Sequence, residues 1–242
     1  MSARDTTRFP RGLYGVTPDW ADTDRMLAAI EQAHAGGMTA LQWRRKHGAQ
    51  AELRAQARAV RELCLRLGLV LIVNDDWRLA ADLDADGAHL GRDDGAVAQA
   101  RLALGSDKLI GCSCYDQPGL AARRLQDDAD YIAFGAMYPS RVKPEAVHAT
   151  LGHVRAGRRL AEAHASGAPA GAMAGREPLA GAPRHPRAAV VAIGGITPDN
   201  AAPVIQAGAD SIAVISALFE VPDIRAAARR CAALFDADAG RP

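Results

Sequence analysis

The apolar run Leu71-Ile72-Val73 ends on Asn74-Asp75-Asp76, and a second run, Gly87-Ala88-His89-Leu90-Gly91, is followed by Arg92-Asp93-Asp94. If both runs are strands of a parallel sheet, their carboxyl ends open on the same side and their acids converge. Carboxylates held close repel each other unless a cation sits between them. A hard divalent ion, Mg²⁺ ahead of Ca²⁺, is the first candidate, because magnesium is usually held by few carboxylates together with a phosphorylated ligand and water. Acids at strand ends also act as helix N-caps or as solvated loop residues, so this pattern alone leaves the metal open.

Other strand ends are polar as well. The run Gln42-Trp43-Arg44-Arg45-Lys46 is a candidate substrate-binding stretch, and the two-residue period of a strand puts Gln42, Arg44 and Lys46 on one side. Three donors on one face, two of them cationic, suit a di- or triphosphate. A solvated basic loop is the alternative. Gly111-Cys112-Ser113 offers a hydroxyl for a ligand or for a turn, and Tyr138-Pro139-Ser140-Arg141-Val142-Lys143 adds a cation after a proline-constrained loop. Ile193-Gly194-Gly195-Ile196 and Val214-Ile215-Ser216 match the barrel phosphate site, where the loops after strands seven and eight present backbone N–H groups. Structural glycine turns are the alternative there. Joined, these ends describe a mouth with a metal-assisted diphosphate site on one side and a monophosphate site on the other. A two-substrate transferase follows more naturally than a hydrolase.

The elements that must position these residues are legible as alternation of short β-rich runs with longer helical segments, the mark of parallel βαβ units. Strands are expected over Leu13–Val16, Ala40–Arg44, Val70–Asn74, Gly87–Leu90, Leu109–Ser113, Tyr131–Gly135, Val190–Ile193 and Ser211–Ile215. Helices are expected over Asp24–Ala35, Ala51–Leu67, Trp77–Leu83, Gly95–Leu104, Pro118–Gln126, Thr150–Ala165, Pro198–Gln206 and Asp223–Phe235. About eight repeats of strand then helix is the count of a closed (β/α)₈ TIM barrel, here a single domain over residues 1–242. An open doubly wound sheet usually places a glycine-rich loop after its first strand, where this chain has Thr17-Pro18-Asp19-Trp20. Ser166 to Arg187 is rich in Ala, Gly and Pro and reads as a flexible surface insertion between the sixth helix and the seventh strand.

Composition excludes several classes. With 29 basic and 28 acidic residues the net charge is +1, so no global field recruits nucleic acid or an anionic membrane. Aromatic content of 5% argues against a base-stacking surface. The four cysteines have no paired CxxC spacing, and the N-terminal stretch lacks an apolar signal core. A reduced, cytoplasmic enzyme of small-molecule substrates, with homo-oligomerisation left open, is the expectation. His89 lies in a strand and reads as a core or supporting residue; the other histidines lack metal-ligand spacing.

The ordered set of Gln42-x-Arg44-x-Lys46, Asn74-Asp75, His89-Leu90-Gly91-x-x-Asp94, Gly111-x-Ser113, Gly194-Gly195-Ile196 and Ile215-Ser216 resembles the thiamine-phosphate synthase family, over roughly Leu13 to Leu218. The resemblance implies a (β/α)₈ enzyme that joins hydroxymethylpyrimidine diphosphate to a thiazole phosphate, giving thiamine phosphate and pyrophosphate. It implies that Gln42, Arg44, Lys46, Asn74 and Lys143 bind the pyrimidine diphosphate; Trp43 and Arg45, in the same run as Gln42, Arg44 and Lys46, are counted with them as substrate-binding residues. Asp75 and Asp94 would hold Mg²⁺, and Ser113 would contact the pyrimidine and assist its amino group as diphosphate leaves. Ser113, Arg44 and Lys143 are the implied catalytic residues, while Ser140, Arg141, Val142, Gly195, Ile215 and Ser216 would meet the thiazole phosphate. Asp76 and Asp93 are left as solvated turn or helix-start acids.

Three features depart from the family pattern: Ser140-Arg141-Val142-Lys143 stands where Thr-x-Thr-Lys is usual, Arg92 where Gln is usual, and the Ser166–Arg187 insertion is atypical. Two rival readings are a related thiazole tautomerase and a non-catalytic phosphate-ligand barrel. The tautomerase places a histidine after the fifth strand, where this chain has Tyr115-Asp116, and a non-catalytic barrel has no need of Arg44, Lys46, Asp75 and Asp94 together.

Overall fold

The structure, a computed structural model, describes residues 7–139, 147–167 and 186–239. Eight parallel strands close a barrel in sequence order. They are β1 (Gly12–Val16), β2 (Met38–Trp43), β3 (Val70–Asn74), β4 (Gly87–Leu90), β5 (Leu109–Tyr115), β6 (Tyr131–Phe134), β7 (Ala189–Ile193) and β8 (Ser211–Val214). The helices are α1 (Thr23–Ala35), α2 (Gln50–Leu67), α3 (Trp77–Asp82), α4 (Val97–Leu104), α5 (Pro118–Gln126), α6 (Leu151–Ala165), α7 (Ala202–Gln206), α8 (Ser216–Phe219) and α9 (Ile224–Ala239). Every expected strand is present. They are nearly wholly buried because helices cover the outer face and side chains fill the inner one.

Three elements differ from expectation, one of them α9, which runs four residues past Phe235 to Ala239. Helix α7 begins at Ala202 rather than Pro198, because Thr197–Asn200 is a turn in which Asn200 Oδ1 accepts the Thr197 N–H at 2.8 Å. Ser216, expected as a strand end, opens the short helix α8.

The core divides in two. Residues such as Leu41, Trp43, Leu71, Val73, Ile132 and Phe134 pack outward against the helices, while Tyr14, Ile72, Tyr131, Val191 and Ala213 fill the interior. Phe9, entering ahead of β1, lies 4.3 Å from the Tyr131 ring and 4.9 Å from Tyr14, centroid to centroid. Gly111 makes room for Tyr131, since a Cβ there would fall 1.8 Å from the phenol ring.

An aspartate precedes each of β4, β6 and β8. Asp86, Asp130 and Asp210 accept the backbone N–H of Leu71, Ile110 and Val190, each at 2.8 Å, so each clamps the start of its strand to the one before. Arg8 and Arg101 pair with Asp130, and the buried Arg187 pairs with Asp210 at 2.7 Å. The ends of the expected insertion are therefore anchored, Ser166 as the C-cap of α6 and Arg187 to the barrel. Residues 168–185 lie outside the described residues.

Candidate active site

A cavity of about 800 Å³ opens at the carboxyl ends of the strands, lined by groups from all eight. On one wall, Asp75 follows β3 in a left-handed conformation (φ 64°), its N–H donating to the His89 carbonyl at 2.8 Å. That turn aims Asp75 into the cavity beside Asp94, while Asp76 caps α3 by accepting the Leu79 N–H at 2.9 Å. Asp94 folds back so that Oδ2 accepts the Gly91 N–H at 2.7 Å. Burial pushes the Asp94 carboxyl up, the Gly91 hydrogen bond opposes that, and the neighbouring Asp75 carboxylate raises it further. The expected convergence of the two acids is present. Asp93 also lines the cavity, beyond its expected role as a solvated acid.

Beside these acids, from the end of the neighbouring strand β2, stand the cations. The Thr17 hydroxyl accepts the Arg44 N–H at 2.8 Å and donates to the Arg44 carbonyl at 3.1 Å, fixing the backbone as β2 runs out. Asp19 accepts the Lys46 N–H at 3.0 Å and pairs with the His47 ring. Although burial pushes the Asp19 carboxyl up, these bonds outweigh it and hold the group below the usual range. Lys46 Nζ lies 3.6 Å from Asp75 Oδ2. Gln42, Asn74 and Arg92 also line the cavity, Asn74 directly before Asp75 and Arg92 in the loop that carries Asp94, with the Arg92 guanidinium 4.9 Å above the Tyr115 ring.

Two expected contacts require correction. Trp43 points outward into the helix layer, donating from Nε1 to Gln56 Oε1 at 3.2 Å, and Arg45 turns away to the His47 carbonyl and Glu52. The same alternation that turns Gln42 and Arg44 inward turns these two outward.

The floor holds two groups that sequence reasoning passed over, Tyr14 and Tyr131, joined to Gln42, His89 and Ser113, which it named. Gln42 Nε2 donates to the Tyr14 hydroxyl at 2.9 Å, and the Tyr14 and Tyr131 hydroxyls lie 3.0 Å apart. Tyr131 meets His89 Nδ1 at 3.0 Å, and His89 Nε2 meets Ser113 Oγ at 2.9 Å. The available signal was parity: Tyr14, Gln42, His89, Ser113 and Tyr131 are polar-tipped residues on inward positions of otherwise apolar strands.

Across the mouth, Gly194 (φ 99°) and Gly195 (φ 64°) follow β7. A Cβ on Gly195 would lie 2.5 Å from the Pro139 carbonyl oxygen, so only glycine permits this close turn. Gly194 and Ile215 line the cavity, and Gly195 and Ser216 follow them directly in the chain. Ser140, Arg141, Val142 and Lys143 lie outside the described residues. Among the described residues no group of three or more His, Cys, Asp or Glu is placed to hold a metal, so a cation at Asp75 and Asp94 would take its remaining oxygens from water or a bound ligand.

A family model described as thiamine monophosphate synthase matches residues 13–218. The thiamine-phosphate synthase of Bordetella bronchiseptica is 55% identical over 230 residues, covering 95% of this chain and 97% of its own. The chain belongs to the thiamine monophosphate synthase family. The thiamine-phosphate synthase of Thiobacillus denitrificans is 46% identical with the same coverage. The solved thiamine phosphate pyrophosphorylase from Pyrococcus furiosus superposes with a TM-score of 0.74 at 27% identity, covering 96% of this chain and 99% of that one. The expected transferase activity, formation of thiamine phosphate, and the expected (β/α)₈ barrel are thus those of this thiamine monophosphate synthase family member.

Proposed function

We infer that the cavity carries out the condensation through two facing subsites, and the observation that supports this is the meeting of Arg44 and Lys46 with Asp75 and Asp94 in one cavity opposite the Gly194–Gly195 turn. The pyrimidine ring lies over the Gln42 and Ser113 floor, and its diphosphate runs toward Arg44, Lys46 and Asn74. The two close carboxylates form an all-oxygen, doubly anionic donor set that fits Mg²⁺ and would hold it with the diphosphate's own oxygens. When bound, Mg²⁺ supplies charge neutralisation that makes diphosphate a better leaving group.

The methylene–oxygen bond breaks with its electron pair leaving on pyrophosphate, and Arg44 and Lys46 stabilise the charge gathering there. Lys143 adds to that set by the family resemblance. The pyrimidine-methyl cation left behind is captured by the lone pair of the thiazole nitrogen, forming the new C–N bond. Neither bond change requires a covalent enzyme intermediate. The Gly194–Gly195 turn, Ile215 and Ser216, with Ser140, Arg141 and Val142, orient the thiazole phosphate for this attack. The four free and buried cysteines support a reducing, cytoplasmic setting.

Incubation with the pyrimidine diphosphate, the thiazole phosphate and Mg²⁺ tests this reading. Equal amounts of thiamine phosphate and pyrophosphate are expected. No product, or isomerisation of the thiazole in its place, overturns it.

A further inference from the structure

The hydrogen bonds under the cavity form one unbroken line from Gln42 through Tyr14, Tyr131 and His89 to Ser113, with four contacts of 2.9–3.0 Å. Both ends of the line, together with Tyr14 and His89, line the cavity, and Tyr131 in the middle is fully buried. A phenol has one proton to donate, so its direction is set by its neighbour. With the Gln42 amide nitrogen turned toward it, Tyr14 accepts from that amide and gives its own proton to Tyr131. Tyr131 must then donate to His89 Nδ1, which makes His89 the Nε2–H tautomer and Ser113 the acceptor of that proton. The Ser113 O–H is left pointing onward to a ligand, and Gln42, with its NH₂ engaged below, turns its carbonyl oxygen to the cavity. Burial pushes both phenols up, so each keeps the single proton on which this direction depends.

We propose that Tyr131 and His89 are positioning residues whose one-way hydrogen-bond line makes Ser113 a donor and Gln42 an acceptor, so that the floor selects an aminopyrimidine over its oxo analogue. The inference rests on the reading that a pyrimidine diphosphate occupies this floor. An aminopyrimidine offers amino N–H to the Gln42 oxygen and an unprotonated ring nitrogen to the Ser113 hydroxyl. Replacing amino by oxo turns that donor into a carbonyl and protonates the adjacent ring nitrogen, so a buried polar group is left facing its own kind. The Gln42 oxygen also faces the amino group that shares the positive charge after diphosphate leaves.

The first test is spectroscopic and needs no substrate. In long-range ¹H–¹⁵N spectra of histidine-labelled protein, the His89 signals are those lost in His89→Gln. The expected result is a protonated Nε2 and an unprotonated Nδ1, with this preference lost in Tyr131→Phe. An Nδ1–H tautomer in the unmodified protein means the line runs the other way and overturns the proposal. The second test compares kcat/KM for the amino and oxo pyrimidine diphosphates with thiazole phosphate and Mg²⁺. The unmodified protein is expected to favour the amino substrate by about 100-fold or more. Tyr131→Phe is expected to shrink that ratio about tenfold while thermal unfolding stays cooperative; an unchanged ratio in a folded variant overturns the selection role. Absence of product from the amino substrate in the unmodified protein refutes the reading of the reaction, and the tautomer result stands apart from it.

Discussion

At the scale of single residues, the site is an arrangement of opposed charge, and its members separate by which way they face. Asp75 and Asp94 crowd one another, and under the proposed function removing either would leave one carboxylate for the cation. Asp75→Ala and Asp94→Ala are each expected to lose Mg²⁺-dependent turnover while far-ultraviolet circular dichroism stays unchanged; normal pyrophosphate release across an Mg²⁺ titration refutes the metal assignment. Arg44→Ala is expected to lower kcat by about 10²–10³-fold, the cost of removing one preorganised donor from developing charge. Arg45→Ala is its control, since that side chain bonds the His47 carbonyl and Glu52, and steady-state kinetics should change little. Gln42, Arg44, Lys46, Asp75 and Asp94 stood out in the sequence because each is a polar residue at or shortly after the end of an apolar run, and the structure brings all five to one cavity. The parity that put Gln42 and Arg44 inward also puts Trp43 and Arg45 outward, so that correction follows from the same rule.

At the scale of elements, the strands were legible because burial on both faces writes them as continuous apolar runs. Helix α8 was not, since four residues carry no helical period, and Ser216 could equally end β8. The pairing of β5 with β6 rests on a small residue facing a large one. Gly111→Ala is expected to destabilise the barrel by about 1–3 kcal/mol through overpacking and to displace Tyr131, which thermal unfolding and activity together check. At the other end of the barrel, Asp210 clamps β8 to β7 and pairs with Arg187. Asp210→Ala removes both the buried ion pair and the acceptor of the Val190 N–H, so a loss of about 3–5 kcal/mol in urea denaturation is expected.

At the scale of the whole molecule, the barrel shields its reactive groups. The four thiols are buried, and burial pushes Cys64, Cys112 and Cys114 up to about 12 and Cys231 up to about 11. An aromatic disulfide reagent is therefore expected to leave the native protein unlabelled and to modify all four thiols in denaturant; fast labelling of the native state refutes this. No helix among the described residues is long and apolar enough to cross a membrane, in keeping with the composition. The sequence by itself determined the barrel and the kinds of chemistry at its mouth, because strand period, apolar continuity and strand-end residue type are local properties of the chain. Only the tertiary structure decided which groups meet. The line from Gln42 through Tyr14, Tyr131 and His89 to Ser113 joins five strands, and its direction depends on contacts between residues far apart in sequence. No local pattern encodes such a contact; it exists once the sheet closes and brings β1, β2, β4, β5 and β6 around one interior.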